Sequence, residues 1–300
     1  MKRRTFIKAV PSLSLVSSAV LKNSYPLSCA TYNWLTFFRR EGKEWGKLVE
    51  DDIKIFAQSG FTAIEPNIDS VQMGAMFINA LKKYNIQMPS IYVNTLLHKP
   101  NEVEQSIQKV IEIAELVKSY GTKIIVTNPS PIAWGGIQNK SDKEIRSQAI
   151  ALNDLGAKLR ARGFTLAYHT HDMEMKAGAR EFHHMLQNSS SANVSFCFDV
   201  HWIYRGSENS SIAVFDILKM YGHRIAELHL RQSDQGIWSE IFTAEGDIDY
   251  AKFAAQLKQM NVKPHLVLEQ CVEEKSPNTK TVVDAHRQDL KNVKSIFGRT

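Results

Sequence analysis

From residue 27 onward, short apolar runs alternate with longer amphipathic stretches. The runs cover residues 27–32, 62–66, 90–94, 123–127, 165–169, 195–199, 225–230 and 266–269. They have strand length and are too apolar to leave one face in water. The stretches between them carry helical periodicity, at 45–59, 73–84, 103–120, 142–162, 211–221, 250–260 and 282–296. Val110, Ile111, Ile113, Ala114 and Val117 show the 3.6-residue repeat well. Gly60, Gly121, Gly163 and Gly222 each close a helical stretch, where a C-terminal cap wants positive φ. Eight buried strands, each followed by a helix, predict a single-domain (β/α)8 TIM barrel over residues 25–300. A doubly wound open sheet is the alternative, but no Gly-x-Gly-x-x-Gly follows the first strand.

Four of these runs end in a metal-ligand residue type. They are Thr165-Leu-Ala-Tyr-His169, Val194-Ser-Phe-Cys-Phe-Asp199, Ile225-Ala-Glu-Leu-His229 and Leu266-Val-Leu-Glu269. The spacings of 30, 30 and 40 residues fit one strand-plus-helix unit of about 30 residues. In a closed barrel the equivalent strand ends meet on one rim, where active sites lie. Two imidazoles and two carboxylates there predict a divalent-metal site on His169, Asp199, His229 and Glu269. Any one of these residues alone reads as a structural histidine or a helix cap. The coincidence across four units carries the metal reading.

Charge and cysteines add context. The net charge is +6, but residues 1–22 hold five basic residues and no acid, leaving about +1 for the rest. That remainder gives no basis for a nucleic-acid or anionic-membrane partner. Met-Lys-Arg-Arg-Thr-Phe-Ile-Lys at the start is similar to a twin-arginine export signal. The apolar stretch after it is too short and too polar to span a bilayer. Residues 1–22 are therefore expected to address the protein to the periplasm. Cys29, Cys197 and Cys271 lie in apolar runs without close spacing, so buried free thiols are expected.

Other rim residues are candidates for substrate chemistry. His171 shares a strand face with His169, and His201 follows Asp199 by two, so each is a candidate proton carrier beside Glu269. Glu65 reads as a hydroxyl acceptor. Arg231 and Lys123 read as anion contacts. Trp34, Trp134, Trp202 and Trp238 fall after strands or in rim loops, where they either stack on sugar CH groups or pack in the core. Asp172 and Asp234 read as caps, and Glu174 as either a solvated loop residue or a partner behind the site.

The chain resembles the sugar phosphate isomerase/epimerase family of xylose isomerase-like barrels. The resemblance runs from Gly60-Phe-Thr-Ala-Ile-Glu65, through the four ligand segments, to Ala244-Glu-Gly-Asp-Ile-Asp249. It implies one divalent ion, Mn, Zn or Mg, held by Glu, Asp, His and Glu on the last four strands. Asp199, His229 and Glu269 match three of these positions, and His169 stands where the family has Glu. The family's epimerases and isomerases use both ligand glutamates as an acid/base pair, of which only Glu269 is present. The His-x-His form at the fifth strand is similar to subfamilies related to inosose dehydratase and 3-keto-glycoside lyases and hydratases. The family's endonuclease branch needs more metals and a basic surface, which the mature charge does not supply.

These observations predict an exported, metal-dependent enzyme acting on a sugar, keto-sugar or inosose by isomerisation, epimerisation or β-elimination. The substrate partner is a small carbohydrate, with a homodimer left open and no membrane contact after signal removal. The rival class is a non-catalytic sugar-binding protein, which would carry no metal at the rim.

Overall fold

The computed structural model describes residues 26–298. Eight parallel strands form the barrel: β1 (Leu27–Ala30), β2 (Ile64–Glu65), β3 (Ser90–Tyr92), β4 (Ile124–Thr127), β5 (Thr165–His169), β6 (Val194–Asp199), β7 (Ile225–Leu230) and β10 (His265–Leu268). They lie side by side in the order β2-β1-β10-β7-β6-β5-β4-β3. Single parallel bridges from Ala63 to Gln87 and Asn67 to Tyr92 join β2 to β3 and bring the ends of the sheet together. β8 (Ser233–Asp234) and β9 (Ile237–Trp238) make a small antiparallel hairpin on the rim. The TIM barrel predicted from the pattern is therefore the observed fold. The export-signal reading falls on residues 1–22, outside the described residues. Among the described residues, no helix is long and apolar enough to cross a membrane.

The outer layer comprises α1 (Thr31–Arg40), α2 (Val49–Ala57), α3 (Val71–Tyr84), α4 (Pro100–Lys118), α5 (Asp142–Ala161), α6 (Lys176–Gln187), α7 (Val200–Gly206), α8 (Ser211–Tyr221), α9 (Tyr250–Gln259) and α10 (Val282–Phe297). Their starts are chemically marked. Ser141 and Glu144 form a reciprocal capping box on α5, and Ser70, Ser210, Asp249 and Thr281 cap α3, α8, α9 and α10. On α4 the predicted stripe of Val110, Ile111, Ile113, Ala114 and Val117 is the buried one.

Several expectations need correction. The first run ends as a strand at Ala30, because Trp34, Phe37 and Phe38 recur at helical spacing and bury α1 against the core. The helices α6 and α7 have no counterpart in the periodicity; α7 is only seven residues and α6 opens with Ala177, Gly178 and Ala179 at positive φ. Gly60, Gly121 and Gly163 do have positive φ, but Gly222 is right-handed. A Cβ there would lie 2.5 Å from the terminal methyl of Met260, which would have to turn aside. Lys123 precedes β4 at the end of the barrel opposite the rim, so it is no anion contact. All three cysteines are free and buried.

Trp34 belongs to the core, stacked on His286 with ring centroids 4.6 Å apart. His286 is fully buried; its Nδ1 donates to the Val282 carbonyl at 2.7 Å and its Nε2 accepts from Asn33 Nδ2 at 3.2 Å. Burial pulls its pKa from 6.5 down to about 4. The unfolded chain therefore binds this proton over a range where the folded chain does not. The contribution of this group to stability is complete above pH 6.5 and is lost as the pH drops toward 4, by roughly 3 kcal/mol. Replacing His286 with Gln should flatten the acid limb of the stability curve in urea titrations between pH 7 and 4. An unchanged slope would show that His286 does not carry it.

Candidate active site

The parallel register brings the four expected ligands to neighbouring strand ends, with Asp199 and Glu269 each one inward position beyond the partner of the preceding ligand. Asp199 on β6 pairs with His229 on β7, His229 pairs with Val267 on β10, and His169 on β5 pairs with Cys197. One ligand atom from each of His169, Asp199, His229 and Glu269 lies within 4.8 Å of the others. His169 Nε2 is 3.5 Å from Asp199 Oδ2, and His229 Nδ1 is 3.1 Å from Glu269 Oε2. The two carboxyl oxygens of Asp199 divide their work. Oδ1 accepts from Trp202 N at 2.7 Å and caps α7. Oδ2 is buried without a hydrogen-bond partner, as is His169 Nε2. Buried polar atoms left open cost stability unless something binds them. Two imidazoles and two carboxylates converging on one point fit a divalent cation.

The cluster floors a cleft of about 550 Å³ that opens on the rim. Its walls include Tyr32, Asn67, Tyr92, Asn94, Trp134 and Trp202. His171 also lines it, in edge contact with His169 at 4.7 Å and between Trp134 at 5.0 Å and Trp202 at 5.4 Å. Burial pulls His171 down to about 4, so it is neutral at pH 7. Its loop is held by Glu174, which is buried and accepts from His171 N at 2.7 Å and Asn128 Nδ2 at 3.2 Å. Glu174 is thus a partner behind the site rather than a solvated loop residue. Asp172 lines the cleft and makes no side-chain cap.

Three candidates occupy other roles than expected. Arg231 is fully buried outside the cleft lining. Its Nε donates to the Glu269 carbonyl at 2.9 Å and its NH2 group lies 3.0 Å from Glu269 Oε2, with Trp238 and Trp202 on the guanidinium at 4.4 and 5.1 Å. It steadies Glu269 from behind and does not line the cleft, so it is no contact for a substrate anion. His201 is also fully buried away from the cleft. Ser233 Oγ donates to Asp247 Oδ2 at 2.6 Å, so His201 Nε2, 2.9 Å from that hydroxyl, is the donor of its own bond. Burial pulls it down to about 3, and its one proton is committed to Ser233. Glu65 sits at the cleft floor with both oxygens engaged, one by Ser90 Oγ at 2.7 Å and one 3.1 Å from His229 Nε2. That is not the free hydroxyl acceptor expected. The tryptophans divide: Trp134 and Trp202 wall the cleft, while Trp238 packs behind it.

Electrostatics separate the acids. Burial pushes Glu65 up to about 8, helped by the neighbouring charge of Glu227, so it keeps its proton at pH 7. Burial also works against the Glu269 anion, but the Arg231 guanidinium and His229 outweigh it and hold Glu269 well below the usual carboxylate range. Tyr92, Asn67 and Asn94 carry no distinctive sequence signal, although Asn67 follows the predicted run 62–66 and Asn94 ends the run 90–94. Tyr92 places its hydroxyl 3.5 Å from His169 Nδ1.

A sequence profile described as the xylose isomerase-like TIM barrel matches residues 53–293. The chain belongs to that family. Inosose dehydratase of Clostridium perfringens is 24% identical over 257 residues, covering 76% of this chain and 83% of that protein. Among solved structures, D-allulose 3-epimerase from Methylomonas sp., in complex with D-allulose, superposes with a TM-score of 0.66 at 15% identity, covering 91% of this chain and 97% of the other. A xylose isomerase-like barrel from Mycobacterium smegmatis, in complex with magnesium, gives 0.64 at 11% identity, covering 92% and 97%. At such identities the superpositions show the fold. The family places this chain among enzymes of the sugar isomerase, epimerase and dehydratase superfamily.

Asp199→Ala should abolish uptake of Mn or Zn while the barrel stays folded. It should also cost about 1 kcal/mol through the lost α7 cap. Elemental analysis and thermal melting check both. Metal retained at full stoichiometry would remove Asp199 from the ligand set.

Proposed function

We propose that this protein is a divalent-metal-dependent enzyme that removes a proton next to a carbonyl of a sugar, keto-sugar or inosose. The observation that carries this reading is the convergence of four ligand groups, two with open buried atoms, at the floor of an aromatic-walled cleft. The cleft lining includes no lysine, and its arginine, Arg205, is paired with Glu273 at 3.2 Å. An uncharged carbohydrate suits these walls better than a sugar phosphate. Trp134 and Trp202 offer faces for sugar CH groups. Asn67 and Asn94 offer amides to hydroxyls.

His169, Asp199, His229 and Glu269 would hold the ion. When bound, it supplies a Lewis acid that polarises a carbonyl and orients a neighbouring hydroxyl. Glu269 is anionic and set by Arg231, so its free oxygen can accept the carbon-bound proton. His171 lines the cleft two positions past the end of β5, and its buried Nδ1 has no hydrogen-bond partner, so it offers a second nitrogen for proton transfer. Return of the proton to carbon gives an isomer or epimer. Delivery to a departing β-hydroxyl gives dehydration. The dehydratase outcome is a second reading favoured by one observation: His169 stands where the family has a glutamate, so Glu269 is the single ligand glutamate left to act as a base. The inosose dehydratase relatives support it.

Turnover of free keto-sugars and inososes in heavy water should place deuterium on the carbon beside the carbonyl. Glu269→Gln should lower that rate by about 10²-fold or more. Sugar binding with neither exchange nor turnover, on protein that takes up no Mn or Zn when these are supplied, would make this a sugar-binding protein. The basic start of the chain gives this reading a periplasmic setting. Changing Arg3 and Arg4 to Lys should leave the protein in the cytoplasm on fractionation. Unchanged export would sink that part.

A further inference from the structure

Glu227 was not among the residues picked out from sequence, and its burial is hard to account for by packing. It points into the barrel from β7, one inward position below His229, and is completely buried. An apolar residue there would avoid the desolvation of a carboxylate, which is severe unless the group is paired and hydrogen-bonded. Glu227 is paired on both oxygens. Oε1 lies 3.3 Å from His229 Nε2, and Oε2 lies 2.7 Å from His265 Nδ1. His265 Nε2 in turn lies 2.9 Å from Ser28 Oγ. A chain of polar contacts therefore runs from β1 through β10 to β7 and ends on the far nitrogen of a candidate metal ligand.

A His that binds a metal through one nitrogen commonly donates its other N–H to a carboxylate, which fixes the tautomer and the ring orientation. His229 turns Nδ1 toward Glu269 and the cluster, and Nε2 toward the acids below. We infer that Glu227 is a positioning residue: backed by His265 and Ser28, it accepts the His229 Nε2 proton and so presents the Nδ1 lone pair to the metal. This rests on the metal-site reading above. Glu65 also reaches Nε2, at 3.1 Å, but its other oxygen meets only the Ser90 hydroxyl, whereas Glu227 is anchored through two further strands.

The test is the affinity of the full-length protein, stripped with a chelator, for Zn or Mn in competition with a metal-binding dye. Glu227→Gln keeps the shape and should weaken binding by about 10–100-fold. Ser28→Ala touches no ligand, should give a smaller loss, and keeps the inference testable should Glu227→Gln fail to fold. The double variant should bind no more weakly than Glu227→Gln alone, because both act through one chain. A merely structural role would lower the melting temperature of the metal-free protein and leave the affinity ratio unchanged. Affinities within about twofold of the unaltered protein would overturn the inference and leave the metal site standing. An unaltered protein that binds no metal overturns both. Cys197 Sγ lies 3.9 Å from Glu227 Oε1, so a second metal equivalent with a cobalt–thiolate absorption band would make Glu227 a ligand and overturn its positioning role.

Discussion

The parallel register of β5, β6, β7 and β10 is the constraint on which the site depends. It brings one ligand atom from each of His169, Asp199, His229 and Glu269 within 4.8 Å of the others, although up to 100 residues separate them in sequence. The backbone has little choice, since each strand is buried on both sides and a one-residue slip would turn every inward side chain outward. Once that register is set, carboxylates and imidazoles are forced together out of water. Such a group of charges is stable only with a partner of opposite sign. Arg231 supplies part of that partner to Glu269. Asp199 Oδ2 and His169 Nε2 are left open toward the centre.

The interior beneath the rim is arranged in the same spirit. Glu65, Glu227, His265, Ser90 and Ser28 occupy inward positions that many barrels fill with branched aliphatics. Each finds a partner among the others, so the polar layer is connected rather than scattered. A connected polar layer gives the ligands a fixed backing, and it is costly to disturb at any one point. The aromatic groups play the complementary part. Trp202 begins on a helix capped by a metal-ligand candidate and lies over Arg231, so wall, cap and cluster are mechanically joined.

Much of this was legible in the sequence because the relevant signals were local and periodic. Eight apolar runs gave the strands, and the recurring interval between ligand-type residues gave the cluster. What could not be read depended on direction or on distant partners. Alternation along Ile225-Ala-Glu-Leu-His229 puts Glu227 on the His229 face, but nothing local says that His265 waits opposite it. Arg231 and His201 looked like rim residues because they follow ligands closely. Their side chains instead turn behind the rim, toward Glu269 and toward the β8–β9 hairpin. The helix α1 is hidden because its apolar spacing begins inside an apolar run, and α7 because it is only seven residues long and its cap, Asp199, is also a ligand candidate.

The most direct test of the central claim is anomalous diffraction from crystals soaked in zinc. The account predicts one strong peak about 2.0–2.2 Å from a donor atom of each of His169, Asp199, His229 and Glu269. Absence of a peak there in well-diffracting soaked crystals, or a peak bound by other side chains alone, would contradict it.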